Sequence, residues 1–188
     1  MPEVIHVVMV RDNLEGIPQY ELPEGYSIRT FKAGEGPVWA GIGAAAGTLP
    51  NLGNAQEQFD KEFAEPVDDM ESRCFFIVEN ESHRAVGTAM AWYDPNFHGE
   101  PHGRVHWVSI IPEFQGKGLA KPLMTAVLNR LAQSHNKAVL GTQTFRKPAV
   151  RLYLDLGFRP FLKNPTCPQA WKDLAEELKH PALEEFRS

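Results

Sequence analysis

Two cysteines, Cys74 and Cys167, are all that the 188 residues contain, too few for a disulfide framework and suited to a reducing compartment such as the cytoplasm. No apolar run approaches the length needed to cross a membrane. The amino terminus, MPEVIHVVMVRDN, carries an acid at Glu3 and lacks both a basic segment and a long apolar core, so it is not expected to be a signal peptide. A basic excess is missing as well: 19 Lys and Arg stand against 24 Asp and Glu, a net charge of -5. That argues against a protein whose main partner is a nucleic-acid backbone, which needs a clustered basic surface. Internal repeats, low-complexity tracts and linkers are also wanting. What remains, 43% hydrophobic and 23% charged, is enough for one sizeable core, and residues 1–188 are expected to form a single soluble domain.

Apolar and polar residues alternate over Val4–Val10, predicting a strand that the Gly- and Pro-bearing run NLEGIPQYELPEG turns into a loop. Residues 1–25 are thus an N-terminal strand with a loop extension. A second short strand is predicted over Tyr26–Phe31. From Pro37 to about Phe63 the composition shifts to Ala, Gly, Gln and Glu around Leu49-Pro50, which predicts two short helices separated by a breaker. CFFIVE (Cys74–Glu79), the polar turn Asn80–His83 and AVGTAMAWY (Ala85–Tyr93) predict a hairpin. Asp94–Gly103, rich in Pro and Gly, is expected to be loop, and VHWVSII (Val105–Ile111) a strand ended by Pro112.

Beyond that strand, Leu119, Leu123, Val127 and Leu131 recur at every fourth position, the mark of a helix over about 118–134 with one buried stripe. A short buried strand at Ala138–Thr142, a helix opened by Pro148 and stopped at Gly157, and a strand at Phe158–Leu162 follow. The tail, about 168–180, has a helical pattern. Strands alternating with helices on either side of a hairpin indicate a mixed α/β domain.

Between strand and helix lies QGKGLA, Gln115–Ala120. A helix start offers backbone N–H groups without partners in the helix, and the aligned peptide dipoles add an attraction for anions. Glycines let that backbone approach a phosphate with no Cβ in the way. Two familiar nucleotide loops do not match. A Walker A loop needs Gly-Lys-Ser/Thr, whereas Gly118 follows Lys117, and the dinucleotide fingerprint needs a glycine where Lys121 stands.

Taken with the later segment FRKPAVRLYLDLGF (Phe145–Phe158), the loop resembles that of the GNAT acetyltransferase superfamily. The superfamily's pattern of Arg or Gln, two residues, Gly, one residue, then Gly or Ala is matched by Gln115, Gly118 and Ala120. Its later helix is matched by Ala149, Leu152, Tyr153, Gly157 and Phe158, in order and spacing. The motifs cover about residues 73–162; the first 70 residues agree by element order alone.

The resemblance implies a central, mostly antiparallel twisted sheet with one splayed parallel pair, Val105–Ile111 and Ala138–Thr142, flanked by helices. It implies acetyl-CoA as cosubstrate and no metal. The pyrophosphate would rest on the amides of Gln115, Gly116, Lys117, Gly118, Leu119 and Ala120, with Lys121 beside them. The pantetheine arm would pair with Ser109, Ile110 and Ile111, and a backbone N–H at Val108 or Ile110 would steady the oxyanion. Direct attack by a primary amine of a small molecule or peptide is the implied reaction, with neither nucleic acid nor membrane as partner and a homodimer as a common assembly. A catalytically silent CoA-binding sensor or structural module is the rival reading, and longer acyl chains or an oxygen acceptor are another.

Several residues carry two readings. Tyr153 matches the tyrosine that protonates the leaving thiolate, yet Ala149, Leu152 and Leu156 surround it at helical spacing, as core would. Arg146 is either a partner for a CoA phosphate or a solvated loop residue. His106 shares parity with Val108 and Ile110, which suits a general base in the cleft or a buried structural histidine, while Trp107, of opposite parity, is expected on the other face. Glu71 and Glu79 are alternate bases, and some superfamily members use ordered waters. Trp39, Trp92 and Trp107 line an acceptor pocket or fill the core, and the acidic stretch EPVDDME is a lure for a cationic acceptor or a solvated turn. His98, His102 and His106 are spaced by four, but Pro95, Gly99, Pro101 and Gly103 forbid the helix a metal site would need. Cys74 is expected in the core. Pro122 should put the helix start near Gly118, with slight irregularity there.

Overall fold

The computed structural model describes residues 4–63, 65, 67–162 and 167–187; Glu3 lies outside them. Along the chain run β1 (His6–Arg11), β2 (Tyr26–Thr30), α1 (Gly36–Ala45), α2 (Leu52–Phe63), α3 (Val67–Arg73), β3 (Cys74–Glu79), β4 (Ala85–Phe97) and β5 (Glu100–Ile110). Then come α4 (Ala120–Ala132), β6 (Ala138–Gln143), α5 (Lys147–Asp155), β7 (Arg159–Phe161) and α6 (Cys167–Leu178). The seven strands form one sheet in the order β2-β3-β4-β5-β6-β1-β7. Pairing is antiparallel except between β5 and β6. Six consecutive residues of β4, Val86–Ala91, are buried, which requires cover on both faces of the sheet; α1 and α4 both pack against this strand. Among the described residues, no helix is long and apolar enough to cross a membrane.

The parallel pair positions the site. β5 and β6 are in register only at Gly103↔Ala138 and Arg104↔Val139; beyond Arg104 the strands part, as the resemblance implied. Gly103 sits at this crotch. A Cβ there would lie 2.9 Å from Leu131 Cδ2 and 3.3 Å from Leu131 Cβ on α4, so the glycine is what lets the helix settle against the pair.

Asp94–Gly103 is not a loop. β4 and β5 continue through it as a hairpin, with Asp94 opposite His102 and Phe97 opposite Glu100. Its tip is His98-Gly99, with φ of 50° and 89°, the two left-handed residues of a tight hairpin turn that matches strand twist. Pro95 and Pro101 are accommodated where the register shifts between Asp94 and Phe97. Phe97 and His98 anchor the tip on Phe161 of β7, at ring distances of 5.2 and 4.8 Å.

The acidic stretch is likewise more than a turn, since Val67–Arg73 is helical. Asp69 pairs with Arg73 at 3.3 Å and accepts from the Tyr93 hydroxyl at 3.3 Å. A short 3₁₀ helix, Pro181–Phe186, follows α6. The segment after β1 lies along α4: Thr125 Oγ1 donates to the Pro18 carbonyl at 2.9 Å, Gln19 and Asn129 exchange side-chain hydrogen bonds, and the Lys121 ammonium sits 5.0 Å from the Tyr20 ring. Gly157, at φ 89°, stops α5 as expected. Beside it lies Arg11, whose buried guanidinium donates to the Leu156, Asn13 and Glu15 carbonyls and so ties β1 to the end of that helix.

Gly103→Ala should lower unfolding stability by about 1–3 kcal/mol, because the added methyl would meet buried Leu131 Cδ2 at 2.9 Å and one side must shift. Urea unfolding checks this, and an unchanged midpoint would show that α4 yields at no cost.

Candidate active site

Pro112 ends β5 by starting a single 3₁₀ turn, Pro112–Phe114, and the chain then passes through Gly116 (φ 75°) and Gly118 (φ 79°) into α4. Left-handed Gly118 followed by right-handed Leu119 (φ -76°, ψ -26°) turns successive N–H groups to one side, a concavity suited to an anion. Among the described residues, the amides from Gly116 to Lys121 have no acceptor. The first bond of the helix runs from Leu123 N–H to the Leu119 carbonyl at 3.3 Å. Pro122 therefore falls in the first turn, where a missing N–H removes no bond, and α4 starts at Ala120, just past Gly118. Gln115 differs from expectation: its amide donates to the Pro112 carbonyl at 3.1 Å, and its side chain donates to the Ile110 carbonyl at 2.8 Å. It fastens the loop to the strand. The Lys117 ammonium lies 4.3 Å from the Phe114 ring, and Lys121 pairs with Asp155 at 3.6 Å.

Along β5 the Ile111 N–H donates to the Val86 carbonyl of β4. Backbone groups alternate along a regular stretch of strand, so those of Ile110 face the other way, into the gap that opens toward β6. Ile110 keeps a free N–H there. Ser109 points its hydroxyl at Thr48, 2.6 Å away in the α1–α2 connection. Thr48 carries no sequence signal and was missed.

His106 and Trp107 do not face opposite ways. Between the pairs Thr88↔Ser109 and Met90↔His106 the register slips by one residue, and Trp107 has a φ of 47°. This bulge carries both side chains to the α2 side. There a single carboxylate oxygen, Glu62 Oε2, lies 3.0 Å from His106 Nε2 and 3.0 Å from Trp107 Nε1. The Gln58 amide donates to the other oxygen. Burial pushes the His106 pKa down from its ordinary value, partly offset by the bond to Glu62, with Arg104 pushing the same way as burial. Glu62 is held below the usual carboxylate range: burial acts to raise it, but the bonds from His106, Trp107 and Gln58 outweigh that. Neutral imidazole beside ionised carboxylate follows. Glu62 was not singled out in the sequence because a Glu in the amphipathic run QEQFDKEF reads as helix surface.

The other candidate bases serve elsewhere. Glu71 accepts from the Ala33 N–H at 3.0 Å, and Glu79 accepts from Ser82 in the β3–β4 turn at 2.6 Å. Trp39 is buried in an aromatic cluster with Phe59, Phe63 and Trp107. Cys74 is fully buried and its thiol is pushed up to about 12 by burial, an inert core residue.

Tyr153 stands on α5, the element after β6, with its ring 6.2 Å from Phe158. It is 6% exposed, and burial pushes its pKa to about 12 against the opposing charge of Arg146. Its hydroxyl is therefore protonated at neutral pH, and it makes no hydrogen bond among the described residues. Arg146 donates from Nε to Gln143 Oε1 at 2.7 Å, at the end of β6. His106 and Tyr153 thus belong to opposite sides of the gap, and no hydrogen bond or ring contact joins them. Among the described residues, no cluster of three or more His, Cys, Asp or Glu could hold a metal.

Comparison with known proteins agrees with this arrangement. The acetyltransferase (GNAT) family model matches residues 48–158. A mycothiol acetyltransferase of Streptomyces coelicolor is 35% identical over 147 residues, 76% of this chain and 45% of its own length. Another, from Saccharomonospora viridis, is 35% identical over 151 residues, 75% of this chain and 48% of its own length. The chain therefore spans about half the length of the curated relatives it matches. Among solved structures, a GCN5-related N-acetyltransferase from Sphaerobacter thermophilus superimposes with a TM-score of 0.67 at 23% identity, covering 86% of this chain and 50% of that one. A tandem GNAT protein from the clavulanic acid biosynthesis pathway gives 0.57 at 18% identity, over 86% and 51%. At these identities the likeness is one of fold.

The depressed pKa of His106 makes stability depend on pH. Below its ordinary value of 6.5 the unfolded chain takes up a proton that the folded chain still refuses, so stability falls as pH drops through 6.5 toward the lower folded value. His106→Gln should flatten the stability curve between about pH 7 and 5, by up to about 1.4 kcal/mol per pH unit. Urea midpoints across that range measure it, and parallel curves for the two proteins would refute it.

Proposed function

The chain belongs to the acetyltransferase (GNAT) family, and from that premise we propose that it transfers acetyl from acetyl-CoA to a primary amine of a small molecule or peptide by direct attack. The observation that carries this reading is the row of unpaired amides from Gly116 to Lys121, set at the end of a strand whose edge is open at Val108 and Ile110. A diphosphate satisfies the first set of donors, and the amides of a pantetheine arm satisfy the second. Gln115 contributes by holding the loop to the strand, and Lys117 and Lys121 by the loop and Arg146 after β6 are the cations placed to meet the CoA phosphates. The mycothiol acetyltransferases favour a small-molecule acceptor.

In this reading the acceptor nitrogen attacks the thioester carbon from a neutral amine. His106 takes the proton the nucleophile sheds, directly or through water, for which its neutral imidazole is suited. The carbonyl oxygen, as it gains charge, is met by the N–H of Val108 or Ile110. Collapse breaks the C–S bond, and the Tyr153 hydroxyl donates its proton to the departing thiolate, leaving an amide and free CoA. A phenol at about 12 is a weaker acid than an ordinary thiol, so it meets the departing thiolate first as a hydrogen-bond donor, and the burial that raises the phenol also raises the basicity of the thiolate that takes its proton. The setting is assigned to the cytoplasm, where Cys74 and Cys167, which form no disulfide, remain thiols. Two chains are proposed to pair, which sedimentation velocity tests as a species of twice the chain mass.

The rival reading, a silent CoA-binding module, predicts binding without turnover. Tyr153→Phe should keep its affinity for CoA while turnover over a broad panel of amines drops by roughly 10²–10⁴-fold. Wild-type protein that binds CoA yet acetylates nothing supports the silent module. No heat of CoA binding at millimolar concentration removes both readings.

A further inference from the structure

Glu62 lies outside both matched motifs and the reaction above uses it nowhere, yet three donors converge on it from two elements. We propose that Glu62 is a positioning residue for the transfer: from α2 it holds His106 in the tautomer with Nε2 protonated and Nδ1 bare, and with the same oxygen it clamps the bulge at Trp107. The inference rests on the acetyl-transfer reading of the site.

The tautomer follows from counting protons. An indole nitrogen only donates, so Glu62 Oε2 is an acceptor toward Trp107 at 3.0 Å. Gln58 donates to the other oxygen. A carboxylate surrounded by donors is ionised and offers no proton, so its contact with His106 Nε2, also 3.0 Å, is a bond donated by the imidazole. A neutral ring carries one proton. Nδ1 is then the lone-pair nitrogen, and it has no hydrogen-bond partner among the described residues. Glu62 is no rival base, because its oxygens are occupied and its carboxyl is held below the usual range.

The second grip has a different consequence. Trp107 adopts a left-handed backbone, rare for a bulky residue. Its indole is fixed by Glu62 on one side and meets Trp39 edge to face at 5.6 Å on another. The next residue is Val108, a candidate oxyanion donor whose backbone direction the bulge sets. One side chain therefore sets the direction of both the proton acceptor and an oxyanion donor. The charged groups acting on His106 are Glu62 from α2 and Arg104 on its own strand, while Phe63 covers the ring at 6.3 Å.

Long-range ¹H–¹⁵N correlation spectra of the full chain read the tautomer directly, with His106→Gln identifying the signal. At about pH 7.5, above the ordinary histidine range, wild type should show Nε2–H with a bare Nδ1. Glu62→Gln should populate the other tautomer and lower the imidazole pKa, since Glu62 raises it. Glu62→Asp, which keeps the charge, should largely restore the wild-type pattern. In turnover assays Glu62→Gln should lower kcat by roughly 10- to 100-fold with little change in KM for acetyl-CoA. It should also move the acid limb of the pH profile downward, and cost nothing further in a His106→Gln background. A wild-type spectrum with Nδ1–H, or an unmoved tautomer and acid limb in Glu62→Gln, overturns the proposal. Wild-type protein that binds no CoA would remove the reaction, and the positioning role with it, while leaving the imidazole spectrum as described, so the two failures are distinguishable.

Discussion

A parallel strand pair that hydrogen-bonds at Gly103–Arg104 and then separates is the constraint on which the rest depends. Backbone N–H and C=O groups left unpaired inside a sheet are costly unless something else meets them. Ile110 has its carbonyl met by the Gln115 side chain, while its N–H remains for a ligand. Gly103, paired with Ala138 one residue before the last contact, admits Leu131 of α4 against the pair. The loop from Gly116 to Lys121 then follows the end of β5, so two sets of orphan donors lie end to end.

The bulge is the second consequence of the opened edge. A strand paired regularly on both sides resists a left-handed residue, but β5 is held only by β4 beyond Arg104, and a slip of register there disturbs a single ladder. Trp107 turns the strand, and α2 supplies the carboxylate that meets the two side chains thus brought together. Packing around it is aromatic: Phe63 touches Trp92 at 5.1 Å and Trp39 at 5.7 Å. Rings of that kind exclude water and strengthen the polar contacts they surround.

Where the chain's own chemistry was strong, the residues alone were enough. The stripe Leu119, Leu123, Val127 and Leu131 is buried as a helix should bury it, and Pro148 and Gly157 bracket α5. The hairpin of β3 and β4 and the breaker between α1 and α2 were equally plain. His98-Gly99 was a turn signal hidden among prolines, and composition outweighed it, so ten residues of hairpin were taken for loop. Val67–Arg73 was hidden too, because a seven-residue helix with a charged face differs little in pattern from a solvated turn. The parity argument failed for a definite reason: period two holds only while the ladder is regular.

By itself the sequence determined a mixed α/β domain, a glycine-bearing entrance to its central helix, and a family resemblance carried by short motifs, because those properties reside in neighbouring residues and their backbone preferences. Tertiary structure alone decided that β1 is inserted between β6 and β7, that α2 presents Glu62 to β5, and that His106 and Trp107 share a side. Each of those depends on residues far apart in the chain meeting under the demand that buried polar groups find partners, and no local pattern records which partner will be found.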